Sequence, residues 1–82
     1  MSANNFTLIK KYKKDYLVFY NLMAESWCDR NCLNIKQAVG KCKTEKEAEA
    51  KALRFEEDDE TEYGIVYGVL AKDGAEVSIF ED

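Results

Sequence analysis

Between Glu56 and Glu62 the chain carries six carboxylates in seven residues, Glu56-Glu57-Asp58-Asp59-Glu60-Thr61-Glu62. Carboxylates at this density can hold a divalent cation or present a negative surface. A calcium loop alternates its ligands around a central glycine, and this run has neither feature. What remains is electrostatic: a solvated acidic face, or a docking surface for a basic partner with Glu56, Glu57, Asp58, Asp59 and Glu60 as contacts.

The opposite charge collects in Lys10-Lys11-Tyr12-Lys13-Lys14. Residues 1–43 hold eight Lys/Arg against three acids, and residues 44–82 hold four against thirteen, for a net charge of −4. Such a division predicts a basic end and an acidic end on one surface. Lys10, Lys11, Lys13 and Lys14 suit phosphate contacts, and Tyr12 or Tyr16 suits stacking on a base. Tyr12, Tyr16 and Tyr20 share one parity, and Tyr63 and Tyr67 share another strand face. On an open sheet face these five would form an aromatic platform, since tyrosine offers large contact area at low entropy cost. Tyrosine is equally a good strand residue that fills a core edge.

Nucleophilic and metal chemistry find little support. There is no histidine, hence no Ser-His or Cys-His pair and no imidazole base. The four glycines do not form a phosphate-cradling loop before a helix. Gly64-x3-Gly68 lies in a strand pattern and predicts close approach of another backbone. A zinc site takes four Cys or His ligands, and Cys28, Cys32 and Cys42 supply three. A Cys28–Cys32 bridge across a tight turn is the other pairing to weigh; an odd count predicts free thiols. We therefore expect no enzyme, no cofactor and no bound metal.

The elements that must position these groups follow from pattern. Eighty-two residues make one domain, 1–82, with 1–5 as a disordered tail, burying roughly 60–65% of the unfolded surface. Phe6–Tyr12 and Tyr16–Met23 read as a hairpin, the second strand apolar on both alternations and so central. Ala24–Asn31 reads as loop, with Trp27 on the core edge. Leu33–Val39 alternates as a half-buried strand until Gly40. Thr44 with Glu47 spells a capping box, which opens one helix over about 44–58. Its stripe is Ala48, Ala52 and Phe55, so it lies close to the sheet. Tyr63–Leu70 and Glu76–Phe80 flank Asp73-Gly74 as a second hairpin. The fold class is α+β, in the order β-β-β-α-β-β, an antiparallel sheet with the helix on one face. The longest uncharged apolar run, Tyr16–Ala24, is far short of the roughly 20 residues of a membrane span. Met1-Ser2-Ala3-Asn4-Asn5 is polar, which predicts no signal peptide and a cytoplasmic location.

Three strands followed by a helix that opens Lys41-Cys42-Lys43-Thr44-Glu45-Lys46-Glu47-Ala48 resemble the arm-type DNA-binding domain of tyrosine integrases. The likeness covers about Leu33–Leu53 and implies a three-stranded sheet laid in the major groove. The acidic run and two extra strands depart from that pattern. In size and acidity the chain is also similar to small phage-encoded inhibitors of host machinery.

These features predict a non-enzymatic protein–protein interaction module, a small regulator or inhibitor of the phage or mobile-element type. It would dock through an open tyrosine face, the acidic 56–62 segment, or both. A homodimer through the sheet face uses the same physics. The alternative is nucleic-acid binding through Lys10, Lys11, Lys13 and Lys14.

Overall fold

The computed structural model, which describes residues 5–23, 32–68 and 77–81, is built outward from the first hairpin. Strands β1 (Asn5–Tyr12) and β2 (Asp15–Met23) pair antiparallel, with Tyr12 opposite Asp15 across the two-residue turn Lys13-Lys14. Asn5 therefore opens a strand instead of ending a tail. Phe6 pairs with Leu22 but Leu8 with Phe19, so β2 holds one extra residue, and Asn21 takes the left-handed conformation there at φ 58°. Asparagine visits that region more readily than most side chains. Its Oδ1 accepts from Asn5 Nδ2 at 2.6 Å and fastens the bulge.

The single strand expected over Leu33–Val39 is divided. Strand β3 (Cys32–Asn34) ends in a one-turn 3₁₀ helix, Ile35–Gln37, and β4 (Gly40–Cys42) follows. Asn34 causes the break. Its side chain accepts from the Lys36 amide at 2.8 Å, while Gln37 Oε1 accepts from the Asn34 amide at 2.9 Å. Asn-x-x-Gln is a capping box in its own right, and it outcompetes strand alternation here.

Helix α1 (Glu45–Asp58) starts where the sequence predicts, with Thr44 as N-cap. Thr44 Oγ1 accepts from the Glu47 amide at 3.2 Å and donates to Glu47 Oε1 at 3.1 Å. The second half of the expected box thus goes to the Thr44 hydroxyl instead of its amide. Ala48 and Ala52 are fully buried against Ile9 and Val18. The Lys51 aliphatic chain crosses Gly40 where a side chain would otherwise sit. Leu53 faces solvent.

The sheet order is β4-β2-β1-β5, with β5 spanning Ile65–Tyr67. A strand that follows a return helix runs in the direction of the strand before it. Accordingly β5 is parallel to β1, with Thr7 opposite Ile65 and Ile9 opposite Tyr67. It does not form the expected hairpin with the last strand. That strand, β6 (Ser78–Phe80), pairs parallel with β3 in a separate two-stranded ribbon. Asp73-Gly74 lies outside the described residues, as do Ala24–Asn31 with Trp27. Gly64 and Gly68 bracket β5 at φ 69°, and a Cβ on either would meet nothing within 4 Å. Their role is the left-handed backbone at each strand end, not the close approach expected.

The result is a small compact α+β domain, one helix on a mixed, mostly antiparallel sheet, with both sheet faces covered. Ile9 and Val18 lie under α1, with Tyr16, Cys42 and Ile65 at the margin. Phe6, Leu8, Leu17 and Phe19 pack on the other face against Leu33, Val77, Ile35 and Ile79. Among the described residues, apolar partners cover core positions on both sheet faces, so the five tyrosines do not share one open face. No described helix is long and apolar enough to cross a membrane.

If alanine sets the helix–sheet distance, Ala52→Leu should lower unfolding stability by roughly 1–3 kcal/mol through overpacking. Leu53→Ala should change it by less than about 0.5 kcal/mol. Urea unfolding with an unchanged slope measures both; equal losses at the two sites would overturn this account of the packing.

Candidate functional site

The five tyrosines separate. Because Tyr12 pairs with Asp15, the two-residue turn puts Tyr12 on the face opposite Tyr16, where it packs against the Phe6–Leu8 core. Tyr16 stays on the helix face beside Ile9 and Val18. Tyr20 serves the fold: its ring stacks on Phe55 with centroids 4.9 Å apart, and its hydroxyl donates to the Asp59 carbonyl at 2.7 Å. Burial, followed by the Asp59 charge and hydrogen bond, raises its pKa. The last turn of α1 has no basic residue, so this phenol supplies the donor that a helix C-terminus requires. Tyr63 precedes β5, and its amide donates to the Asn5 carbonyl at 2.9 Å. Tyr67, on β5, is 47% exposed.

The acidic run is split between two tasks. Glu56 is half-buried and accepts three hydrogen bonds: from the Thr7 hydroxyl at 2.5 Å, the Thr61 hydroxyl at 2.7 Å and the Thr61 amide at 3.1 Å. Thr7 and Thr61 are themselves buried. Burial pushes the Glu56 carboxyl up, but the Thr7 and Thr61 donors together outweigh it and hold it below the ordinary value. Glu56 is thus an internal tie from α1 to β1. Glu57, Asp58, Asp59, Glu60 and Glu62 remain exposed. Asn5 joins this end of the molecule to the sheet, since its Oδ1 accepts from the Glu62 amide at 2.8 Å. Two exposed apolar side chains flank Asn5: Tyr63, and Met23 paired across β2. Met23 escaped the sequence reading because it looked like the buried end of a central strand.

The basic hairpin lies at the other end of α1. A cleft of about 230 Å³ opens where the helix begins, lined by Ile9, Lys10, Lys11, Tyr16, Glu45, Tyr67 and Gly68. Lys11 Nζ stands 5.7 Å from the centre of the Tyr16 ring. The Tyr67 hydroxyl donates to Glu49 at 2.5 Å. That bond first, then burial and the charges of Glu49 and Glu45, push the phenol up to about 12. Lys13 lies 5.1 Å over the Tyr12 ring and pairs with Glu81 at 3.4 Å, which raises its pKa. Lys41 pairs with Asp15 at 3.5 Å. Lys14 is exposed at the turn. No local signal in the sequence marks Glu45 as a cleft residue or Glu49 as the partner of Tyr67.

Cys32 and Cys42 carry free thiols, and Cys28 lies outside the described residues. Among the described residues, no three Cys, Asp or Glu side chains converge as a metal site. No family model, curated protein or solved structure matches this chain.

Two outcomes test this geometry. A carboxyl held low in the fold contributes stability above its unfolded pKa, and that stability is lost as pH falls through the folded value. Natural protein should therefore lose melting temperature as pH drops below the ordinary carboxyl value of 4.5. Glu56→Gln should flatten that acid limb and cost roughly 1–3 kcal/mol at neutral pH. An acid limb unchanged in the variant would rule out Glu56 as its source. Separately, Glu49→Gln should return the phenol of Tyr67 from about 12 toward the ordinary 10.0. Ultraviolet titration reads this, with Tyr67→Phe identifying the transition.

Proposed function

We propose that the chain is a non-enzymatic interaction module that docks a basic protein surface at its acidic end. The observation that supports this reading is the sorting of the carboxylates. Glu56 is held inward by three donors, while Glu57, Asp58, Asp59, Glu60 and Glu62 all face solvent. Next to them stand Tyr63 and Met23, 54% and 45% exposed. An aromatic and a methionine side chain beside a field of one sign combine anchor contacts with a rim that steers a partner in. In this reading the partner is basic, and the module acts as a regulator or inhibitor by occupying that partner's basic site. The free thiols of Cys32 and Cys42 suit a reducing, cytoplasmic setting.

The like charges here oppose the helix dipole at the end of α1. Stability alone would favour removing them, which gives a docking role more weight than a solvated face. The test is a parallel capture on natural protein and the Glu57→Lys, Asp58→Lys, Asp59→Lys, Glu60→Lys variant, with retained proteins eluted in salt steps. A partner that is released as salt rises should bind the variant about ten-fold or more weakly. Tyr63→Ala should weaken the same partner without changing its salt dependence. Equal retention by natural and charge-reversed protein would remove this reading.

A further inference from the structure

The cleft at the start of α1 is separate from the acidic end and has its own chemistry. Tyr16 on β2 and Tyr67 on β5 stand to either side of β1, on the helix face. Ile9 and Lys11 form the floor between them, and Glu45 of the first helical turn closes the top. We propose that this cleft takes one nucleotide of a single-stranded nucleic acid. The base would lie against Tyr16 and Tyr67, the lysines would hold phosphates, and Glu45 would accept from an amino group on the base edge.

Three observations support that occupant. The volume, about 230 Å³, falls below the roughly 300–1,000 Å³ of a drug-sized pocket and suits a single base. The Tyr67 ring is anchored through its hydroxyl to Glu49, so little freedom is lost when a base stacks on it. Lys11 Nζ lies over the Tyr16 ring, so a base stacks on that face by displacing the flexible lysine chain outward, where its charge meets the adjoining phosphate. Lys11 also occupies the position that a cationic guest would take over that ring.

A strand suits better than a free nucleotide because the basic track continues. Lys13 and Lys14 lie at the turn just beyond Lys11, within reach of neighbouring phosphates. The Lys13–Glu81 pair at 3.4 Å is exposed on both sides, and such pairs exchange partners readily. The acidic run does not cancel this attraction. It starts at the far end of a fourteen-residue helix, about 21 Å away, which exceeds two screening lengths of about 8 Å each at physiological salt.

Glu45 makes the proposal specific. A carboxylate accepts from the amino group of cytosine, and thymine offers none there. The test uses the full chain with fluorescent oligo-dC and oligo-dT of equal length, duplex of the same length and dCMP, at two salt concentrations. Oligo-dC should bind several-fold more tightly than oligo-dT, with a log–log salt slope of about −2 from two to three phosphates. Tyr67→Ala should weaken oligo-dC about ten-fold, with circular dichroism confirming the fold. Glu45→Ala, an exposed change that removes the acceptor, should bring the ratio of oligo-dC to oligo-dT affinity down to about one. No binding at low salt overturns the proposal, as does equal affinity of Tyr67→Ala or a dC preference that survives Glu45→Ala. Duplex bound as tightly as oligo-dC would mean plain polyanion attraction and would overturn it too. So would dCMP bound as tightly as oligo-dC, which would make the ligand a free nucleotide. The charge-reversed acidic variant should bind oligo-dC at least as well as the natural chain, which separates this result from the acidic-end reading.

Discussion

The carboxylate of Glu56 is the contact on which the acidic end of this protein depends. It receives donors from a residue 49 positions earlier and from one five positions later. Without it, the Thr7 hydroxyl would be buried without its acceptor, and the Thr61 hydroxyl would keep only the longer contact to the Gly64 carbonyl at 3.4 Å. A buried donor deprived of its partner costs about 1–3 kcal/mol. One such group is a large part of the margin of a small domain. The ionised form is favoured because all three contacts are donors, so a proton on Glu56 would compete with at least one of them. Tyr20 adds a second clasp by covering the Asp59 carbonyl. Together the two contacts let a helix end in a run of like charge that otherwise opposes its dipole.

The other constraint is the depth of the core. Alanine at 48 and 52 brings α1 down onto Ile9 and Val18, and on the reverse face a two-stranded ribbon closes over Leu17 and Phe19. Two covers on one four-stranded sheet explain why β2 is apolar on both alternations. Each parity has its own layer to meet. The cost of covering both faces in so short a chain is that β3, β4, β5 and β6 are only three residues each. Short edge strands also limit unwanted strand addition.

How much of this was legible in the sequence follows from how local each signal is. Thr44 and Glu47 are three residues apart, so the start of α1 could be read directly. The first hairpin was equally readable from its two apolar runs, although its turn is Lys13-Lys14 and Asp15 already belongs to β2. Tyr12 was misplaced because parity counted through a turn fails: pairing Tyr12 with Asp15 puts Tyr16 on the opposite face. Leu33–Val39 was misread because Asn34 and Gln37 form a box that was recognised only at Thr44. The partners of β5 and β6 were out of reach, since no local pattern says that a strand after a return helix will add parallel to β1. Glu56 was read as one surface charge of six, because nothing near it in the chain names Thr7.

The same helix that organises the core also sorts the charge. Its first turn stands beside Lys11 and Tyr16, and its last turn leads into five exposed carboxylates, so the chain's division into basic and acidic halves becomes a division in space. The helix dipole adds to that field in the same direction, positive at the lysine end and negative at the carboxylate end. Over about 21 Å in physiological salt the two ends act nearly independently. A net charge of −4 therefore describes neither surface. On the two proposals made above, a basic protein surface would meet the carboxylates around Tyr63 and a phosphate chain the lysines around Tyr16. The two proposals are therefore compatible in one 82-residue domain, because sites at opposite ends of the helix would leave room for both occupants.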